Sequence, residues 1–531
     1  MAALGGVAAE LAGDRATASW PKPIRTWALE GPKPPAELIA EISRESSGDL
    51  DVLAQLYEQI VSGRSRRRLG TFFTPPPLVD FMLDRARALI GEPAVVIDPG
   101  AGVGAFSLAA RRRWPNAEVV AVDINLVTLG LLAARSDAGV TLVLDDYLSW
   151  ALGPKVPRLR RRLWIGNPPY TRHQELPADL KQRARIASGG LVPSGLAGLS
   201  AYFLAVTLRA MAPEDAMCLL LPGSWTDARY GKRLRSALRD LTTRSVEFCG
   251  FGSQVSVFPG TRVTAMVVAI GPNRGNDEQP MTTSHVSLDA THVEVARSVG
   301  RSRHGDSIEG LGTWLWRRSR APVVAAVPLR QVARVRRGVA TGANRIFLLT
   351  DADRARLPLA ATVAAVRRLR HVSGDRLTQD AHDHLGAIGE RRWLLKLADP
   401  SLLDDPTVAT LLEKAAAAGI ANRYLASHRD PWYLVESVDP PDLLISPMGK
   451  QRMRVVVNEV RAVPSNALYG LYVRGGAAMA MRLATWLNGP EGQASLMSGA
   501  RAYGAGLFKL EPRDLEAVPV PARIMHDPDE P

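Results

Sequence analysis

A chain of 531 residues, 46% of them hydrophobic and 22% charged, has the make-up of a soluble globular protein and is too long for one ordinary core, so two to four domains are expected. A formal net charge of +13 biases the surface toward polyanions, with nucleic acid the leading partner and an anionic membrane surface the second. Two cysteines, Cys218 and Cys249, exclude a disulfide framework, no Cys/His cluster has zinc spacing, no apolar run reaches membrane-spanning length and the first residues lack a basic leader; a cytoplasmic protein without a metal is expected.

In chain order, Leu38, Ile39, Ile42, Leu50, Leu53, Leu56 and Ile60 recur every three or four positions, which predicts helix across 35–60 and an N-terminal helical segment over 1–62. A basic run, Arg64-Ser65-Arg66-Arg67-Arg68, leads to Gly70-Thr71-Phe72-Phe73-Thr74-Pro75-Pro76-Pro77 and an amphipathic helix over 78–89, with prolines at its start where they are tolerated. From 94 to about 270, strands are predicted at 95–97, 119–122, 140–144, 163–165, 217–221 and 263–270. Helices fall between them at 105–113, 126–135, 199–211 and 229–241. That rhythm predicts a Rossmann-like, doubly wound α/β sheet over 63–272, with its ligands at the carboxyl ends of the strands. Polar seams at 273–279 and 314–320 mark 273–324 as a connecting segment, and 325–531, with short strands, prolines and arginines, reads as a separate mixed α/β domain.

Four motifs carry chemistry. In Val95-Val96-Ile97-Asp98-Pro99-Gly100-Ala101-Gly102-Val103-Gly104 a strand runs into a glycine turn that lets backbone approach a ligand. Asp98, placed before the glycines, would repel a phosphate and attract an ammonium or sulfonium group, which favours S-adenosylmethionine over a dinucleotide. In Val120-Ala121-Val122-Asp123-Ile124-Asn125 the acid ending the next strand can accept ribose hydroxyls, a duty that dinucleotide folds share. In Leu144-Asp145-Asp146-Tyr147-Leu148 one carboxylate can accept from an adenine amino group while Tyr147 offers a flat face. Asp146 is preferred because it directly precedes the ring, with Asp145 as the ligand or simple helix capping as alternatives.

The fourth motif ends an apolar strand: Leu163-Trp164-Ile165-Gly166-Asn167-Pro168-Pro169-Tyr170. The Asn167 side-chain oxygen and the Pro168 carbonyl can accept the two N–H bonds of an exocyclic amine, localising its lone pair toward an electrophilic methyl group. Proline fixes φ there, and Tyr170 can stack on a base. Catalysis of this kind is positioning plus electrostatics, without a covalent intermediate.

In this order, the motifs from Gly70-Thr71-Phe72-Phe73-Thr74-Pro75 through Asn167-Pro168-Pro169-Tyr170 resemble the gamma-class N6-adenine DNA methyltransferases, similar to the TaqI-like and type IIG adenine-modifying enzymes, from about residue 65 onward. The resemblance implies a class I S-adenosylmethionine-dependent fold with a C-terminal target-recognition domain, a flipped adenine and double-stranded DNA as partner. It assigns the cofactor to Phe73, Thr74, Pro75, Asp98, Gly100, Gly102, Asp123, Ile124, Asp146, Tyr147 and Asn167, and catalysis to Asn167, Pro168, Pro169 and Tyr170. Val257-Phe258-Pro259-Gly260 matches the family's late phenylalanine-proline step, so Phe258 is expected to stack with Tyr170 on the flipped base. The segments 332–344 and 501–510 resemble the opening and closing segments of a recognition region. From them Arg334, Arg336, Arg337, Thr341, Asn344, Arg501 and Lys509 are the expected DNA contacts.

The resulting expectation is a site-specific adenine methyltransferase acting beside a separately encoded restriction nuclease or other defence-system subunits. The roughly sixty residues ahead of the methyltransferase part are too few for a fused nuclease. An rRNA-adenine or protein-glutamine methyltransferase, or a non-catalytic DNA-binding subunit, are the competing readings. His382-Asp383-His384 is expected to be a surface loop without a metal.

Overall fold

The computed structural model describes residues 1–45, 52–61, 74–135, 139–158, 161–226, 228–251, 257–258, 265–275, 277, 279, 281–288, 293–302, 326–450, 452–504 and 507–525. The chain divides into two compact units, Met1–Trp316 and Arg317–Pro531.

The first unit is organised by a nine-stranded sheet: β1 (Val95–Pro99), β2 (Glu118–Asp123), β3 (Val140–Leu144), β4 (Arg162–Gly166), β5 (Ala216–Pro222), β6 (Arg244–Phe251), β7 (Ala265–Asn273), β8 (Met281–Leu288) and β9 (Val293–Ser302), in the spatial order β3-β2-β1-β4-β5-β7-β6-β8-β9. Strands β1 to β5 run parallel, and β7 enters antiparallel between β5 and β6. The order reverses at β1, with β2 on one side and β4 on the other; a crevice opens at such a switch point because the flanking connections leave on opposite faces. Register aligns the strand ends there: Pro99 lies opposite Val122, and Ile97 opposite Trp164, which brings the residues after β4 level with the glycine turn after β1.

The central strands β1, β4 and β5 are buried on both faces, as an apolar, β-branched run such as Val95-Val96-Ile97 requires. Leu163 and Ile165 of β4 enter one core together with the helix Pro76–Ile90, whose buried stripe is Leu78, Val79, Phe81, Met82, Leu83, Ala86 and Ile90. That helix starts on Pro75 with prolines in its first turn, where the missing N–H groups would have no helical partner anyway, and stops at Gly91 (φ 70°). A second core joins the helix Leu126–Ala133 to N-terminal helices Ala2–Thr17, Lys22–Leu29, Ala36–Glu45 and Val52–Ile60. The two pack closely at Gly130, where a Cβ would come 2.2 Å from the Trp27 ring.

The sequence expectation of a connecting segment over 273–324 is corrected in part: β8 and β9 lie within it and extend the sheet past β6. Their alternating, polar sequence hid them, since strands at a sheet margin need no continuous apolar run. β6 was likewise not expected.

The second unit is built from small sheets. A five-stranded sheet has the order Ala333–Arg337, Tyr469–Val473, Leu443–Ile445, Val455–Asn458 and Arg376–Leu377, and its apolar face packs with the helix Gly476–Asn488. A four-stranded sheet of Leu348–Leu349, Trp393–Leu395, Thr362–Val366 and Val463–Pro464 has a core around Phe347 and Leu394. His382, expected on a surface loop, instead lies buried on the helix Gln379–Ala387, with Arg392 against Nδ1 at 2.9 Å. Its imidazole is held below the usual histidine range by burial.

Candidate active site

Three strand ends converge at the switch point. Asp98, on β1, is 1% exposed; its Oδ2 accepts from the Ser107 amide (3.0 Å) and hydroxyl (2.6 Å) at the start of the next helix. Burial outweighs those two bonds and raises the carboxyl pKa to about 7. The following turn carries Gly100, Gly102 and Gly104 at positive φ (74°, 57° and 88°). Gly100 and Ala101 donate to the Val122 carbonyl at 2.8 and 3.1 Å, which ties the turn to β2.

Asp123 completes the turn from the other side. Its Oδ2 accepts from the Gly102 amide and its Oδ1 from the Asn125 amide, both at 2.7 Å, and burial raises its pKa against those bonds. A carboxylate has about four lone-pair sites, so two amide bonds leave acceptor capacity for hydroxyl donors. Ile124 beside it is 69% exposed, an apolar surface held out at the strand end. Asn125 caps the helix Leu126–Ala133 through Val127, and its Nδ2 donates to the Tyr57 hydroxyl at 3.2 Å. Tyr57, fully buried in the N-terminal helical layer, was absent from the expected site. Only the fold brings it within reach of Asn125, 68 residues away.

After β4, Asn167 is half-buried and its Nδ2 donates to the Thr74 hydroxyl at 3.1 Å, so the threonine-proline segment and the Asn-Pro-Pro-Tyr motif meet although they are 93 residues apart. Pro168 is buried and Pro169 half-buried against the glycine turn: a Cβ at Gly100 would sit 3.3 Å from Pro169 Cδ. Gly166 was not singled out in the sequence, yet a Cβ there would come 2.7 Å from Asp98 Oδ1 and 3.0 Å from Pro99 Cδ. Its signal was the one small residue between an apolar strand and the motif. Thr74, Pro75, Asp98, Gly100, Gly102, Asp123, Ile124 and Asn167 are thus gathered at one end of the sheet. Phe73 lies outside the described residues.

Two aromatic expectations change. Tyr147 does not offer an open face: it is 3% exposed, its ring stacks on Phe203 (centroids 4.8 Å apart, 21° between planes) and its hydroxyl bonds Thr207 at 2.7 Å. Its apolar body is worth more in the core than at the rim, and Phe203 also supports the Gly100 turn. Phe258 is 2% exposed and meets Tyr170 edge-on (5.6 Å, 85°), so it buttresses Tyr170 rather than presenting a free face. Burial pushes the Tyr170 phenol well above its ordinary pKa, which keeps it neutral. Asp146 caps the helix Tyr147–Trp150 through the Leu148 amide (3.1 Å) and pairs with Arg183 at 2.7 Å; Asp145 accepts from the Asp146 amide.

The expected recognition residues of the second unit are spread over distinct roles. Arg334 and Arg336 are exposed on the strand Ala333–Arg337, with Arg334 over the Tyr472 ring at 4.9 Å. Arg337 and Lys509 both pair with Glu511, at 3.5 and 2.7 Å. Thr341 is buried and shapes a turn with Asn344, which is itself exposed. Arg501 lies on the strand Arg501–Gly504.

The sheet order with an antiparallel β7 between β5 and β6, and the acidic strand ends around a glycine turn, define the first unit as a class I methyltransferase fold of Rossmann-like type. Comparison with known proteins narrows the class. Residues 323–530 match the C-terminal domain family of the type II methyltransferase M.Eco57I. The chain is 30% identical over 478 residues to the type II methyltransferase M.XamI of Xanthomonas campestris pv. amaranthicola, covering 87% of this chain and 86% of that protein. It is 20% identical over 490 residues to M.AccI of Acinetobacter calcoaceticus, with 86% of each covered. Among solved structures, the type IIL restriction-modification enzyme MmeI in complex with DNA shares the fold, with a TM-score of 0.56 at 14% identity over 91% of this chain and 75% of that one. The chain belongs to the type II methyltransferases. Among the described residues, no helix is long and apolar enough to cross a membrane.

Proposed function

We propose that the protein is a site-specific DNA methyltransferase that flips an adenine out of the duplex and methylates its N6 from S-adenosylmethionine. The observation that carries this reading is the fixed Asn167: its amide nitrogen is held by Thr74, which orients the side-chain oxygen, beside a buried Pro168 whose neighbour Pro169 packs on the glycine turn.

The residues present suit the cofactor. Asp98 is a buried carboxylate suited to an amino or sulfonium cation. Gly102, where a Cβ would meet no atom within 4 Å among the described residues, leaves a cradle at the turn. Asp123 would take the ribose hydroxyls, Ile124 the adenine face, Asp146 its amino group, and Thr74 with Pro75 the methionine part. When bound, the cofactor supplies an electrophilic methyl group. The chain's own work lies in orientation. Asn167 Oδ1 and the Pro168 carbonyl accept the two N–H bonds of the target amine and concentrate its lone pair. Tyr170, braced edge-on by Phe258, gives the flipped base a flat wall, and the neutral phenol adds no charge to the pocket. Such preorganised acceptors act without reorganisation at the moment of transfer. Flipping costs a few kcal/mol, recovered through stacking and these bonds. Duplex contacts fall to the second unit, through Arg334, Arg336, Arg337, Asn344, Arg501 and Lys509, with Thr341 shaping the turn that carries Asn344. A cytoplasmic setting beside a separate nuclease or other defence-system subunit fits the type II relatives.

The test is transfer of tritiated methyl to duplex DNA, ribosomal RNA and release factor, followed by chromatography of the labelled nucleosides. Label recovered as N6-methyladenine from DNA is expected. Label confined to RNA or protein, or recovered as a methylcytosine, would overturn the reading.

A further inference from the structure

The second unit carries 30 arginines and lysines against 22 acidic residues over 317–531, but many of its cations are already neutralised. Arg391 pairs with Asp353, Arg392 with Asp351 and Asp383, and Arg337 and Lys509 share Glu511. Among the cations without a carboxylate partner in the described residues, one exposed group stands beside an exposed aromatic ring. It is built around the turn 338–344, where Gly342 takes φ 74° and the Thr341 hydroxyl donates to Asn344 Oδ1 at 2.5 Å while accepting from the Ala343 amide at 3.2 Å. Arg429 clamps the turn, donating to the Thr341 carbonyl at 3.1 Å and to the Ala340 carbonyl. A Cβ at Gly342 would lie 2.9 Å from Leu425 Cβ, so the turn and the segment 422–429 are in direct contact.

On the solvent side of this junction stand Arg345, Arg423, Tyr424 and His428, all exposed. Neither Arg345 nor Arg423 has a carboxylate partner among the described residues. Tyr424 is 75% exposed, and its ring is propped at 4.6 Å from that of His428, whose Nδ1 lies 2.6 Å from the Tyr424 carbonyl. An exposed aromatic ring beside guanidiniums that lack a carboxylate partner suits a partner that supplies both anions and flat apolar surface. An acidic peptide would satisfy the guanidiniums and leave the ring face unmatched. Phosphates separated by sugars and bases satisfy both.

We propose that this face, missed by the sequence motifs, is a contact surface for double-stranded DNA, with Arg345 and Arg423 on phosphates and Tyr424 against a sugar or base. The proposal rests on the DNA-substrate reading above. Its test uses the full chain, a fluorescein-labelled duplex of random sequence and anisotropy across a salt series. The double variant R345A/R423A is expected to weaken binding at low salt about tenfold or more and to reduce the slope of log affinity against log salt by about two, one per phosphate lost. Tyr424→Ala is expected to weaken binding about fivefold or more with the slope unchanged, and Tyr424→Phe to retain it. Unchanged S-adenosylhomocysteine affinity in every variant checks that the chain is folded. Wild-type affinity and slope in the double variant, with the parent protein binding the duplex, overturns this surface alone. A parent protein that binds RNA but not duplex DNA overturns the functional reading beneath it.

Discussion

The two units use charge in opposite ways. In the first, the acids proposed to hold the cofactor sit at the ends of buried strands, immobilised and desolvated: Asp98 and Asp123 are each fixed by hydrogen bonds and both are pushed up in pKa. In the second, the expected functional groups are cations on its strands and turns, two of them, Arg337 and Lys509, paired with a partly exposed Glu511. A buried charge acts strongly on one ligand group, whereas exposed charges act weakly, additively and in a salt-dependent way. Residue substitutions should therefore bite hard in the first unit and softly in the second.

The hardest effect is expected at Asn167, the residue proposed to hold the target amine. Asn167→Ala should lower methyl transfer by roughly 10²–10³-fold or more, as loss of a preorganised polar group does, while S-adenosylhomocysteine binding measured by calorimetry stays near that of the parent. Turnover at the parental rate would refute the proposed mechanism.

Next is the pH response of Asp98. Its folded pKa of about 7 lies above the ordinary aspartate value, so the carboxyl is protonated below that pH and a bound cation loses its counter-charge there. Cofactor affinity should rise with pH up to about 7 and level off above it, with protons released on binding below that point. The same shift makes the ligand-free fold progressively less stable as pH rises from the ordinary aspartate range to about 7. Asp98→Asn should remove both trends and leave weak, pH-independent binding; a pH profile unaltered by the substitution would exclude Asp98 as the titrating group.

A smaller effect is expected at Tyr57. Tyr57→Phe removes a hydroxyl that accepts from Asn125, at a cost of about 1 kcal/mol in stability. Because Asn125 adjoins Asp123, KM for the cofactor should rise several-fold with kcat unchanged. Loss of stability with an unaltered KM would confine Tyr57 to packing.

Softest is Arg337, whose ion pair with Glu511 is half-exposed and so contributes less than about 1 kcal/mol. Arg337→Ala should shift the melting temperature little and weaken duplex binding less than Arg336→Ala, since the Arg337 charge is already engaged. A larger loss at Arg337 would show that binding recruits it away from Glu511.

The contrast also explains how much was legible beforehand. β1 to β5 and their helices, with the order of the acidic and glycine motifs, could be read because buried parallel strands leave continuous apolar runs punctuated by turn residues. The polar strands β8 and β9 and the short sheets of the second unit leave no such trace. Asn167 and Asp98 announced themselves by local context, whereas Gly166, Phe203 and Tyr57 matter only through what lies across from them.

Local sequence determined the chemistry at the strand ends: a carboxylate before a glycine turn, and an asparagine before two prolines, are set by adjacent residues whatever surrounds them. Tertiary structure decided which of those groups meet and which aromatic rings remain open. Tyr147 and Phe258 carried the right residue type for stacking, but burial drew both rings into packed contacts, because the area each removes from water there outweighs what an open face would retain. In the same way the chain names its arginines, while only the fold tells the guanidiniums already bound to an acid from Arg345 and Arg423.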